Sequence, residues 1–330
     1  MILAGDVGGT KCNLALAEQS GQGFQIAFRR RYASRDYSRF DDIIAAFLRD
    51  ARETIEGSPE RKIVAAGFGV AGPVINERAR LTNLVWAVDG PALRQQLGTE
   101  HVTVLNDLEA TGYSLPWLAP DDLLALNAGS GVPRASQALI AAGTGLGEAI
   151  LRWSGERYIV EPSEGGHCDL APRTEKEIEL LRHMKKTNTY VSFELILSGR
   201  GFLTIHQFLD PALRHPSFDQ PNADPAVEIT AHGLDGSCAV CVETLDLWTA
   251  LYGAEAGNLA LKALALGGMF IAGGIVTKIL PKIKDGTFAR AFREKSKFED
   301  LLSKIPIRVL LNEEAPLLGA AAEAARALQN

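Results

Sequence analysis

Ile2-Leu3-Ala4-Gly5-Asp6-Val7-Gly8-Gly9-Thr10-Lys11-Cys12-Asn13-Leu14-Ala15-Leu16 opens the chain. An apolar run, a carboxylate, two glycines and a threonine, then Asn13-Leu14-Ala15-Leu16, spell strand, tight turn, strand. The design recurs about 135 residues later. Apolar residues 138–142 lead into Gly143-Thr144-Gly145-Leu146-Gly147 and then into a second run at 148–153. Two such units suggest an old duplication with one copy in each of two lobes.

The rest of the chain alternates between the two periods. Residues 40–56 carry helical spacing through Phe40, Ile43, Ile44, Phe47 and Leu48, with Gly57-Ser58-Pro59 as a stop. Residues 62–68 form a β-rich run ended by Gly72-Pro73, 91–96 a short helix, and 101–105 a strand closing on Asn106-Asp107. Alternating strands and helices indicate an α/β lobe. The expected division places 1–110 and a C-terminal helix at 312–330 in a small lobe and 111–311 in a large one. In the large lobe, 175–185 is a helix with an acidic start and a basic end, as the helix dipole favours. Residues 210–225 hold four prolines and suggest a mobile surface connection. Residues 245–266 are a long Ala/Leu-rich helix feeding a strand at 269–272 and Gly273-Gly274. The Ala-rich tail at 316–328 is expected to return to the first lobe.

Bulk composition narrows the function classes. A chain of 330 residues exceeds one small core. A net charge of −6 excludes the basic stripe that a nucleic-acid partner needs, though not a nucleotide substrate, whose phosphates backbone amides and a metal can hold. No run approaches the roughly 18 apolar residues of a membrane span. Four cysteines without a pairing pattern suit a reducing cytosol, so a cytoplasmic protein is expected.

Several short stretches carry chemistry. At Asp6-Val7-Gly8-Gly9-Thr10, the glycines let backbone approach a phosphate, and amides and the threonine hydroxyl can bond it. The Asp6 carboxylate would then need magnesium or its waters between. Taken alone the turn is equally a tight hairpin; the second turn, Gly143-Thr144-Gly145, strengthens the phosphate reading. Asn106-Asp107 ends a buried strand, where α/β sheets present ligand-binding groups. Asp107 could take a proton from an attacking hydroxyl there, with a helix cap the equal alternative. Glu164-Gly165-Gly166-His167 puts a carboxylate and an imidazole in one loop, free to converge on a polyol or a metal. Glu194 begins an amphipathic stretch that is expected to end at Ser198-Gly199; by residue type it is a solvated helix position. Gly67-Phe68-Gly69-Val70-Ala71-Gly72 fits the letters of a dinucleotide fingerprint, but Pro73-Val74-Ile75-Asn76 follows where a helix should begin. The glycines are therefore expected to serve strand packing. Cys238 and Cys241, with His232 nearby, make an incomplete zinc set and are expected to share one helix face.

Together these stretches resemble the bacterial glucokinase family. The resemblance runs through GDVGGT (5–10), LTNLVWAVD (81–89), LNDLEA (105–110), AAGTGLGEA (141–149), EGGH (164–167), ILSGRGF (196–202), FIAGGIV (270–276) and LLGAA (317–321). It implies a two-lobed, actin-like (ribonuclease H-like) α/β ATPase fold, each lobe a mixed sheet flanked by helices, with the active site in the cleft between. It implies transfer of the γ-phosphate of ATP to the 6-hydroxyl of glucose, with magnesium. Asp107 would be the general base, and Asn106, Glu164, His167 and Glu194 would bind glucose with it. Asp6, Gly8, Gly9, Thr10, Gly143, Thr144 and Gly145 would hold phosphates, with Gly273 and Gly274 near adenosine. A homodimer without nucleic-acid or membrane partners is expected. Lys11 departs from the asparagine this family often carries and matches the related group of repressors, open-reading-frame proteins and kinases (ROK). That group follows its Glu-x-Gly-His with a cysteine-rich zinc site, whereas here no cysteine follows Cys168 before Cys238. A zinc-free enzyme is expected. The rivals are a kinase for mannose or fructose, a sugar-sensing regulator and a cytoskeletal actin-like ATPase. The regulator would want a DNA-binding segment, and the ATPase has no use for Glu164, His167 and Glu194 together.

Overall fold

Strand-forming residues on either side of a glycine turn can pair only antiparallel, and both such segments do. In a computed structural model that describes residues 1–21, 23–55, 62–81, 84, 86–211, 215–219 and 223–329, β1 (Ile2–Val7) pairs with β2 (Lys11–Ser20), Val7 opposite Cys12. The expected stop at Gly57-Ser58-Pro59, residues Thr82, Asn83 and Val85 of the LTNLVWAVD stretch, and 212–214 and 220–222 of the proline-rich connection lie outside the described residues.

Contacts divide the chain into two units, Met1–Pro120 with Tyr158–Pro162 and Asn312–Asn330, and Asp121–Arg157 with Ser163–Leu311. The first adds β3 (Gly23–Ala33), α1 (Phe40–Thr54), β4 (Ala65–Val70), and a small sheet of β5 (Val74–Ile75), β6 (Arg78–Arg80) and β7 (Ala87–Asp89). Then come α2 (Gly90–Leu97), β8 (Val102–Asn106) and α3 (Asp107–Ser114). Its main sheet runs β3-β2-β1-β4-β8, with β1, β4 and β8 parallel. One face of α1, through Phe40, Ile43, Ile44, Phe47 and Ala51, is buried on this sheet; the Phe40 ring meets Phe68 edge-on at 5.3 Å and stacks on Trp86 at 5.8 Å.

The second unit repeats the plan. After β9 (Leu123–Asn127), β10 (Gln137–Ala142) pairs antiparallel with β11 (Leu146–Trp153); β12 (Tyr158–Ser163), hydrogen-bonded to β11 although Tyr158–Pro162 count with the first unit, leads into a 3-10 turn at Gly165–His167. Helices α4 (Glu175–Met184), α5 (Phe193–Ile196), α6 (Gly199–Leu209), α7 (Pro225–Leu234) and α8 (Ala239–Ala263) follow. Then come β13 (Gly268–Ala272), α9 (Gly274–Lys278), α10 (Leu280–Lys284), α11 (Thr287–Arg293), α12 (Glu299–Ser303) and β14 (Ile307–Leu310). The strand sequence β11-β10-β13-β14 carries the same antiparallel, parallel, parallel pairings as β2-β1-β4-β8. The duplication inferred from two glycine turns thus extends to four strands per unit. Among the described residues no helix is long and apolar enough to cross a membrane.

The stretch holding Glu194 ends where expected, α5 stopping at Ile196, and a new helix, α6, opens at Gly199 with Ser198 as its N-cap. Gly-Arg-Gly looks like a breaker, yet a Cβ at Gly201 would lie 1.6 Å from the Ile196 carbonyl oxygen, so the glycine serves close packing of two successive helices.

The last helix, α13 (Ala315–Arg326), packs on α3, β4 and β1 of the first unit. Only the smallest residues allow this approach. A Cβ at Gly67 would stand 2.1 Å from the Ala320 carbonyl oxygen, and one at Gly319 would stand 1.7 Å from that of Ala110. Gly319→Ala should therefore destabilise by about 1–3 kcal/mol or more. Gly143→Ala, whose methyl meets nothing within 4 Å, should stay near wild type, within about 0.5 kcal/mol. Denaturant midpoints of the two variants check this; equal losses would show that the close approach of α13 is not what holds it.

Candidate functional site

In the first unit the two carboxylates come from adjacent elements. Asp6, near the end of β1, accepts a hydrogen bond from Asn13 Nδ2 at 2.9 Å, and Asn13 Oδ1 in turn accepts one from Arg31 Nε at 2.9 Å. Burial raises the Asp6 carboxyl above its ordinary range, against the Asn13 bond and the charges of Lys11 and Arg31. At the turn itself, the Gly8 amide donates to the Lys11 carbonyl at 3.0 Å and the Gly8 carbonyl accepts from Ser34 Oγ at 2.7 Å. The Gly8 amide is thus committed to closing the hairpin, which leaves Gly9 and exposed Thr10 at the tip.

Asn106 ends β8 and caps α3, the helix-cap alternative for this dipeptide. Its Oδ1 accepts from the amides of Leu108 at 3.0 Å and Glu109 at 3.3 Å, while Glu109 Oε2 accepts the Asn106 amide at 3.3 Å. Its Nδ2 donates to the Gly72 carbonyl at 3.1 Å. The cap fixes the start of α3, and with it Asp107, whose Oδ1 accepts from the Leu108 amide at 2.9 Å. Burial, with the Asp6 charge as a lesser contribution, pushes the Asp107 carboxyl up to about 6. A carboxylate near pKa 6 is a stronger base than a solvated one and still largely ionised at neutral pH.

In the second unit the residues picked out from the sequence converge. His167 Nε2 lies 4.0 Å from Glu164 Oε2 and 3.9 Å from Glu194 Oε1. The Tyr190 hydroxyl donates to the His167 carbonyl. Glu194 is not a solvated helix residue: its Oε2 accepts the Leu146 amide at 3.0 Å, just after the glycine turn. A Cβ at Gly145 would sit 2.4 Å from that oxygen, so a side chain here would displace the Glu194 carboxylate from the turn. The turn is pinned further by the Gly199 amide, which donates to the Gly143 carbonyl at 3.0 Å. Gly273, at φ +95°, packs against Ala142, where a Cβ would lie 2.2 Å from the carbonyl oxygen. Gly273 and Gly274 therefore border the same turn.

Sequence reasoning missed the support beneath this loop. Glu148, buried on β11, would be struck by a Cβ at Gly165, 2.1 Å from its Oε2. Burial and the neighbouring buried Glu255 raise its carboxyl well above the usual range, and burial also raises that of Glu255. Lys262 Nζ approaches Glu255 Oε1 at 3.4 Å. One signal was available: Glu148 and Glu255 are lone acids in otherwise apolar stretches.

The dinucleotide-like glycines are packing glycines, as expected. Gly67 faces α13, Gly69 faces Ala110 of α3, Gly72 adopts φ +138°, and β5 follows where the fingerprint needs a helix. Cys238, the N-cap of α8, and Cys241 in its first turn bring their sulfurs together on one side of the helix start, as expected; the histidine differs, since His232 Nδ1 pairs with Ser237 Oγ at 2.7 Å and the imidazole beside the two cysteines belongs to His206.

A family model described as Glucokinase matches residues 3–327. A glucokinase of Nostoc sp. strain PCC 7120 is 40% identical over 345 aligned positions, covering 99% of this chain and 99% of that protein. Among solved structures, a glucokinase from an Antarctic psychrotroph superposes with a TM-score of 0.85 at 29% identity, covering 98% of both chains. A ROK family glucokinase from Streptomyces griseus, solved in complex with glucose and AMPPNP, shares the fold with a TM-score of 0.66 at 20% identity, over 98% of this chain and 99% of that one. The fold is that of these sugar kinases, the actin-like ATPase fold, and over nearly its whole length the chain belongs to the glucokinase family.

Proposed function

We propose that the protein is an ATP-dependent glucokinase, which transfers the γ-phosphate of ATP to the 6-hydroxyl of glucose. The observation that carries this reading is the convergence of Glu164 and Glu194 on His167 beside the Gly143-Thr144-Gly145 turn. Carboxylates and an imidazole read sugar hydroxyls, and a glycine turn admits phosphate oxygens. Glu194 serves both parts, one oxygen facing His167 and the other holding the turn. Membership of the glucokinase family and the ligands of the Streptomyces griseus protein support the same substrates.

In this mechanism Glu164, His167 and Glu194 hold the glucose ring. Asp107 accepts the 6-hydroxyl proton as the oxygen attacks the γ-phosphorus in line. Asn106 fixes Asp107 by capping α3, and the Nδ2 hydrogen not used by the Gly72 bond is left to donate to a sugar hydroxyl. Gly9, Thr10, Gly143, Thr144 and Gly145 bind phosphate oxygens, and Gly273 and Gly274 border the adenosine. Magnesium fits the donors in the first unit. Asp6 is a hard oxygen ligand whose burial disfavours the bare charge, and it shares a field with Asp107 that a divalent cation would relieve. Bound through Asp6, directly or through water, the ion would neutralise phosphate charge.

Asp107→Asn should lower kcat by roughly 10²–10⁴-fold while glucose still binds. In the wild type, protonating Asp107 removes the base, so kcat should fall as pH drops through about 6 and level off above it. The residual rate of the variant should lack this acid limb. A variant retaining more than a tenth of wild-type kcat, or the same limb in both proteins, would remove Asp107 from the mechanism.

Glu164→Gln tests the sugar site. Glu164 is exposed and would lose its water only beneath a bound sugar; a carboxylate covered in that way and left without its matching hydroxyl rejects analogues by about 10⁴–10⁵-fold, which no apolar pocket achieves by size. The variant should lose kcat/KM for glucose and much of its preference over galactose, with KM for ATP little changed. Wild-type discrimination with unchanged glucose KM would show that Glu164 does not read the ring.

A further inference from the structure

The second unit holds a group of ligating side chains that phosphoryl transfer does not use. Cys238 caps α8, Cys241 lies in its first turn, and His206 projects from α6. One ligand atom from each of the three side chains lies within 4.8 Å of the other two. His206 is 1% exposed, and its Nε2 is buried without a hydrogen-bond partner among the described residues. A buried ring nitrogen left unpaired costs about 1–3 kcal/mol, so its persistence asks for a partner. The Phe218 ring lies 5.3 Å from that of His206, Ile205 and Leu245 are buried close by in the chain, and Asp210 and His215 are the titratable neighbours whose charges reach His206.

We infer that His206, Cys238 and Cys241 form a binding site for a zinc-class divalent cation that ties α6 to the start of α8. Two thiolates and an imidazole are the donor set that borderline-soft ions prefer over magnesium. Metal–sulfur bonds of about 2.3 Å and metal–nitrogen bonds of about 2.0–2.1 Å set tetrahedral ligands roughly 3.5–3.8 Å apart, so the group closes by about 1 Å through side-chain rotation. Binding replaces two thiol protons, which pass to the buffer, with two metal–thiolate bonds; nothing is oxidised or reduced. Half-buried Cys238 is the solvent side, and water completes the fourth position. The site revises the zinc-free expectation, which weighed Cys238 and Cys241 with His232; His206 lies 32 residues before Cys238 and joins them only through the packing of α6 on α8. It is independent of the kinase reading.

The test is cobalt(II) titration of reduced, chelator-treated full-length protein, with zinc competition and melting curves. Wild type should take up one equivalent with thiolate-to-cobalt charge-transfer absorption and tetrahedral ligand-field bands, all abolished by zinc. Its Tm should rise with metal. The Cys238→Ser, Cys241→Ser double variant should lose the bands. Cys168→Ser, which alters an exposed cysteine outside the group, should keep them. Should the double variant fail to fold, Cys238→Ala alone should weaken cobalt binding at least tenfold. Absent thiolate bands in reduced wild type, or bands that survive loss of Cys238, would overturn the site. So would a Cys238–Cys241 disulfide in protein isolated without reductant that takes up no metal once reduced.

Discussion

Backbone laid against backbone is the constraint on which the first unit depends. Gly67 and Gly319 let α13 approach β4 and α3 to distances that no side chain permits. The helix is built from alanine for the same reason, since Ala320, Ala321, Ala324 and Ala325 bury a face with little bulk. That packing settles α3 against the sheet, and the Asn106 cap settles its first turn. Asp107 thus receives its position from contacts far from its own carboxylate. Its raised pKa then follows from burial, with Asp6 as a secondary influence.

The second unit uses the same strand plan for a different purpose. Where the first turn is followed in β2 by Asn13, which holds Asp6, the second is held by a carboxylate from a distant helix, Glu194 of α5. Two glycines leave room for carboxylates packed against them, Glu194 at Gly145 and Glu148 at Gly165. The buried acids Glu148 and Glu255 repel one another and are disfavoured as ions by burial.

Much of this was legible in the sequence because the signals were local. Two strand–turn–strand repeats gave the duplication, and the period of α1 and the Ala-rich tail gave helices with defined faces. Asn106-Asp107 was recognisable because a strand end followed by a capping pair is a local event. The parts that were not legible depend on distant residues. Glu194 looked solvated because its partner amide is 48 residues away. The expected lobe boundary near Thr111 falls within α3, which packs on α13, so contacts carry the first unit on to Pro120. His206 could not be joined to Cys238 and Cys241 without the packing of α6 on α8.

The central claim is that these residues select one sugar and one donor. A coupled assay crossing glucose, mannose, fructose and galactose with ATP, ADP and polyphosphate, with and without magnesium, tests it most directly. The account predicts highest kcat/KM for glucose with ATP, glucose 6-phosphate and ADP formed one to one, and no turnover in excess EDTA. Equal or better turnover of another hexose, a different preferred donor, or full activity without metal would contradict it.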